Sequence, residues 1–104
     1  MDNKLITETA MKIIVHAGNA RSLFHEIVKN NKQMDQELII NKIKEAEDEL
    51  LKAHNIQTKL LQTEANGDKI VMTLLLSHAQ DTLTEATMEE YVTKLFFNNK
   101  EKIK

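Results

Sequence analysis

Ile6, Ala10, Ile13, Ala17, Ala20, Phe24 and Ile27 recur in alternating steps of four and three, the spacing that lines apolar side chains along one stripe of a helix. A first helix is predicted from about residue 7 to 29. Gly18 falls inside it at a cost near 1 kcal/mol against alanine, which predicts a close helix contact at that point. The polar run KNNKQMD, Lys29 to Asp35, breaks the stripe and offers Asp35 as the N-cap of a second helix. A second apolar series, Ile39, Ile43, Ala46, Leu50, Ala53 and Ile56 with the adjacent Leu60, carries that helix over about residues 35–64. At ~1.5 Å per residue it is roughly 45 Å long. The stretch ANGD, Ala65 to Asp68, holds the asparagine-glycine signal that reverses the chain.

A third helix is predicted over about residues 70–98, and Ile70, Val71, Leu74, Leu75, Leu76, Ala79 and Leu83 give it apolar residues on more than one side. A helix apolar nearly all round is a central one. No helix is central in a solitary three-helix bundle, so this pattern predicts several bundles packed through helix three. Thr87 and Glu90 have capping-box spacing, which raises a break near Ala86, but continuity is the expectation. Residues 99–104 should fray. The fold class is all-α, an antiparallel three-helix bundle forming a single domain over residues 1–104.

Composition agrees with long helices: the 104 residues include no proline, two glycines and few aromatics. A domain of this size buries a modest share of its surface, so self-association is an expected way of completing its core. The net charge of −2, with basic residues interspersed among acidic ones, supplies no field for nucleic acid. Without cysteine there is no disulfide, thiolate metal site or cysteine nucleophile, and a reducing compartment is expected. The opening MDNKLITETAMKII lacks a secretory pattern, and no run approaches the ~20 apolar residues of a membrane span. A cytoplasmic location follows as the expectation.

Chemistry enters at LLLSHAQDTLTE, Leu74 to Glu85. Heptad steps through helix three align Leu74, Asp81, Met88 and Leu95 on one seam, and Asp81 is the misfit. If three copies met along that seam, carboxylates about 5 Å apart at an effective dielectric near 20 would repel by about 3 kcal/mol per pair. The sum, about 10 kcal/mol, rivals the whole stability of a typical domain. Such a site needs a hard cation such as Mg²⁺ or retained protons. Two plainer readings stand beside it: Asp81 faces solvent, or it fixes register without a ligand.

His78 lies one turn before Asp81 and Thr82, near the same face but displaced toward the groove between neighbouring helices. Its imidazole titrates near neutral pH and is nucleophilic when uncharged. His16, His25 and His54 are expected to be boundary or surface residues. No two histidines stand four apart, which argues against a catalytic zinc site. Nor is there a Gly-x-x-x-x-Gly-Lys loop, so the chain should not handle nucleotide itself.

At HAQD, His78 to Asp81, the sequence resembles the phosphorylation-site motif of the lactose/cellobiose-class enzyme IIA component of the bacterial sugar phosphotransferase system. GNARSLFHE from Gly18 is similar to that family's G-x-A-R-S segment, and AHNIQTKLLQTEANGD from Ala53 to its A-H-x-x-Q-T segment. The three blocks stand in the family's order across most of the chain. The resemblance implies a nine-helix homotrimer in which His78 is the catalytic residue, a phosphocarrier histidine. It would accept a phosphoryl group from HPr and pass it to a cysteine of the cognate enzyme IIB, for uptake of a lactose/cellobiose-type disaccharide. It further implies that Asp81 shares one Mg²⁺ per trimer with its symmetry mates, that Gln80 helps organise the site, and that docking uses a shallow, partly apolar patch around His78.

The family motif usually continues with a second histidine and a methionine, where this chain has Thr82 and Thr84. Threonine supplies a hydroxyl but no positive charge, so Thr82 would support the site differently and transfer rate or partner choice would change. The alternative reading is a trimeric helical scaffold or regulatory relative that has lost efficient phosphotransfer.

Overall fold

The computed structural model describes the backbone of residues 1–103 and the side chains of residues 1–97. Three helices, α1 (Asn3–Asn30), α2 (Gln36–Ala65) and α3 (Leu74–Ile103), run up, down and up, with a 3₁₀ turn (Asn31–Gln33) between the first two. The bundle measures 52 × 20 × 18 Å.

Each helix start has a side-chain cap that satisfies an amide left over by the helical ladder. Asp2 accepts from the Leu5 amide at 2.8 Å, so α1 begins four residues before the expected start. Asp35 accepts from the Leu38 amide at 2.8 Å, as its position after the polar run predicts. Thr73 Oγ1 accepts from the Leu76 amide at 3.0 Å. That threonine explains why α3 starts at Leu74 and not at residue 70. Ile70 instead packs against the core from the connecting segment, while Val71 and Met72 are exposed. The segment is held at its other end by the ammonium of Met1, which donates to Asp68 Oδ1 at 2.6 Å. Gly67, at φ 101°, makes the left-handed turn after α2 that a side chain would resist.

The α1 stripe is buried as its spacing predicts, from Ile6 to Ile27. It meets Ala46, Leu50, Ala53 and Leu60 of α2 and Leu76, Ala79, Leu83 and Ala86 of α3. Ile39, Ile43 and Ile56 are only half-buried, so the α2 face is narrower than its apolar series. The central helix within one chain is α1, because α1 packs extensively on both neighbours while α2 and α3 meet little. Helix three is instead two-faced: Leu76, Ala79 and Leu83 point inward, and Leu74 (89% exposed), Met88, Val92 and Leu95 lie open on the other side. Among the few α2–α3 ties is Lys94, 2.7 Å from Glu47; that hydrogen bond holds its ammonium pKa above the ordinary 10.5.

Two further expectations change. Gly18 makes no close contact, since a Cβ built there meets nothing within 4 Å. α3 runs unbroken past Ala86, as expected, but continues to Ile103, beyond the expected end at residue 98, so residues 99–103, expected to fray, carry helical backbone. Lys104 lies outside the described residues.

Candidate functional site

His78 is the fifth residue of α3 and is exposed. Helical side chains lean toward the helix start, so the imidazole reaches over the first turn, where the positive end of the dipole lies. Among the described residues, no hydrogen bond or ion pair engages its ring. Asp81, also exposed, is likewise unengaged and sits on the outward stripe between Leu74 and Met88. Gln80 between them is half-buried, and its carbonyl accepts the Thr84 hydroxyl at 3.0 Å.

Thr82 is placed differently from the role its hydroxyl suggested. It is only 7% exposed, and the hydroxyl donates to the His78 carbonyl at 2.8 Å. A threonine back-bonded to the preceding turn has its proton committed to the backbone, so it does not reach the imidazole. Its support is to the main chain that carries His78.

Asp81 supplies one carboxylate per chain. Among the described residues, no three His, Asp or Glu side chains gather as a metal set, so any cation held through Asp81 needs other copies of the chain. An unpaired carboxylate on an apolar stripe is compatible in chemistry with a hard divalent ion.

The other histidines link helices. His16 Nδ1 donates to Glu49 Oε2 at 2.6 Å, and this bond is the first cause of a Glu49 pKa below its ordinary 4.5. His54 Nε2 lies 3.1 Å from Thr87 Oγ1. Since the Thr87 hydroxyl donates to the Leu83 carbonyl at 2.8 Å, the proton of the first contact belongs to His54. His25 Nε2 lies 2.8 Å from Glu89 Oε2, at ion-pair distance but without hydrogen-bond alignment.

Sequence reasoning had Arg21 only as part of the GNARS block and gave it no partner or role. Its guanidinium reaches from α1 to two carboxylates of α3, Nη1 to Glu85 Oε2 at 2.8 Å and Nε to Glu89 Oε1 at 2.7 Å. The available signal was the Glu85 and Glu89 pair four residues apart on one helix face, with a lone arginine elsewhere in the chain. Beside this network an open apolar groove of about 520 Å³ runs between α1 and α3, lined by Phe24, Val28, Met88 and Val92 among others.

Fold and site together define a small three-helix bundle that presents a free imidazole at the start of its last helix, with a free carboxylate one turn on. Residues 8–100 match the family described as "PTS system, Lactose/Cellobiose specific IIA subunit", and the chain belongs to that family. It is 44% identical over 84 residues to the lichenan-specific phosphotransferase enzyme IIA component of Bacillus subtilis, covering 81% of this chain and 76% of that one. It is 35% identical over 91 residues to the N,N'-diacetylchitobiose-specific EIIA component of Escherichia coli, covering 86% and 78%. Among solved structures, PtcA from S. mutans superposes with a TM-score of 0.89 at 37% identity, covering 94% of this chain and 96% of that one. The cellobiose-specific enzyme IIA of Bacillus anthracis gives 0.86 at 30% identity, covering 99% and 93%. No helix among the described residues is long and apolar enough to cross a membrane.

Proposed function

We propose that this chain is the histidine phosphocarrier of a phosphotransferase system for a lactose/cellobiose-type disaccharide, with His78 as the accepting residue. The observation that carries the reading is the exposed, unpartnered His78 imidazole near the α3 start, in a chain of this family. Uncharged His78 attacks the phosphorus of phosphorylated HPr in line. The donor's N–P bond breaks as the new one forms. A cysteine thiolate of enzyme IIB then takes the phosphoryl group and restores the imidazole. The chain's own work is positioning and charge stabilisation, to which the positive end of the α3 dipole contributes.

The outward stripe of α3 supports assembly. Leu74, Met88, Val92 and Leu95 are large and exposed in the single chain, and large apolar side chains left open along one helix face suit a surface that another copy covers. Packing α3 against α3 in a homotrimer would cover it and gather three Asp81 carboxylates. Three hard oxygen donors suit Mg²⁺, which when bound would offset their mutual repulsion.

Incubation with phosphoenolpyruvate, enzyme I and HPr should place an acid-labile phosphate on this protein and none on His78→Ala. No label, under conditions that charge a related enzyme IIA, would reject the reading. One observation favours the scaffold alternative: the hydroxyls of Thr82 and Thr84 both donate to backbone carbonyls, so neither proton is available to the His78 ring or a group on it. That alternative predicts a trimer that takes no phosphate.

A further inference from the structure

We infer that Arg21 is a positioning residue for phosphotransfer, acting by offsetting one of the two carboxylate charges on α3 that would otherwise oppose a phosphoryl group on His78. The inference rests on the phosphocarrier reading above. Glu85 and Glu89 stand seven and eleven residues after His78. At 3.6 residues per turn those intervals are close to two and three full turns, so all three side chains share one face of α3. Glu85 is then about 10 Å along the helix from the imidazole, and Glu89 about 16 Å.

The charge on that face is otherwise unfavourable. Going from His78 along it, Asp81, Glu85 and Glu89 are acidic. The groups that α1 brings against them are the Arg21 guanidinium, 2.8 Å from Glu85 and 2.7 Å from Glu89, and the His25 imidazole, 2.8 Å from Glu89. Phosphorylated His78 carries close to two negative charges, so each uncompensated carboxylate on this face raises the energy of the product. One guanidinium, with its planar fork of donors, serves both carboxylates at once; lysine has a single point charge and would not. Arg21 itself stays at the level of Glu85 and Glu89, so it does not touch the reacting atoms. It works through the field at His78.

At ~10 Å, interactions near a protein surface are about one Debye length long in physiological salt, which makes the effect dependent on ionic strength. A clamp that acted only on the fold would lower the urea midpoint as well, so that midpoint is read beside the transfer rate. Single-turnover phosphorylation of His78 by phosphorylated HPr is therefore measured for the full chain at low and high salt. Arg21→Gln should slow transfer about fivefold at ~20 mM salt and less than twofold at ~500 mM. Adding Glu85→Gln and Glu89→Gln to it should restore most of the rate, because the carboxylates that opposed the charge are gone. Glu85→Gln with Glu89→Gln and Arg21 intact should transfer at least as fast as the parent, which keeps the test decisive if Arg21→Gln alone folds poorly. A labelled parent with an Arg21→Gln rate that is unchanged, or lowered equally at both salts and not restored by the double glutamine, would overturn the inference alone. A parent that takes no label would remove the phosphocarrier reading and the inference with it.

Discussion

The hydroxyl of Thr82 donates to the carbonyl of His78 at 2.8 Å, from a side chain that is almost wholly enclosed. The residue one turn beyond the candidate nucleophile is thus a packing element of α3 and not a solvent-facing helper. Thr82→Val keeps the shape and removes the back-bond, so phosphorylation of His78 should stay within about twofold and stability within about 1 kcal/mol, the net scale of one hydrogen bond. Thr82→His has to fit an imidazole into that enclosed space, and overpacking should destabilise by about 1–3 kcal/mol. Urea unfolding and the labelling assay read both effects. A tenfold loss of transfer in Thr82→Val with an intact fold would show that the hydroxyl acts on the imidazole after all.

Assembly through α3 makes opposite predictions for two neighbours on one stripe. Met88 is large and exposed in the single chain; if copies bury it, Met88→Glu places a charge in the contact and should dissociate the assembly. Asp81→Leu should keep or tighten it, because replacing clustered buried charge by apolar side chains is often neutral or stabilising. Sedimentation at micromolar concentration should give a trimer for the parent and for Asp81→Leu, and a smaller species for Met88→Glu. A parent that sediments as a monomer would sink the packing argument.

Much of the fold was legible because α1 obeys one rule along its length: every residue of its three-four stripe from Ile6 to Ile27 is buried. Asp35 and Gly67 were legible for the same local reason, since an N-cap and a left-handed turn are properties of a few adjacent residues. The start of α3 was not. Ile70 and Val71 continue an apolar run, and only the Thr73 cap, invisible to periodicity, decides that the helix waits until Leu74. Likewise the apolar encirclement of helix three was read as the mark of a central helix, yet within one chain the centre is α1, because a stripe reports that a surface is apolar without saying what covers it. For the site, Asp81 was singled out by the heptad seam and His78 by its place one turn before it and by the motif, and among the described residues both stand free on α3. The back-bond of Thr82 was not legible, because helix phase alone does not say whether a hydroxyl bonds its own backbone. The Arg21 bridge joins residues more than sixty apart in sequence, a distance over which only the folded bundle makes neighbours.

Gly18 is a helix-interior glycine without a close neighbour, since an added Cβ meets nothing within 4 Å. Its backbone is helical, a conformation alanine prefers. Gly18→Ala should therefore stabilise the chain by about 0.5–1 kcal/mol, chiefly by reducing the freedom of the unfolded state. The urea midpoint should rise without a change in slope. A loss of stability or of assembly would place a second copy of the chain against this position.

The His16–Glu49 pair joins α1 to α2 across 2.6 Å, with both side chains largely enclosed. The hydrogen bond from His16, foremost, holds the Glu49 pKa below its ordinary 4.5, despite the opposing effect of burial. A carboxyl whose folded value lies below its unfolded one binds protons more readily when unfolded. Its contribution is therefore complete above about pH 4.5 and disappears as the pH falls through the lower folded value. Glu49→Gln should cost about 1 kcal/mol near neutral pH, the scale of a partly enclosed charge-assisted hydrogen bond. The gap between the two proteins should narrow below pH 4.5 and close once the folded carboxyl is protonated. Urea midpoints from pH 7 down to pH 3 test the sign directly: a gap that stays constant, or widens toward acid, would mean that Glu49 acts through packing and not through its charge.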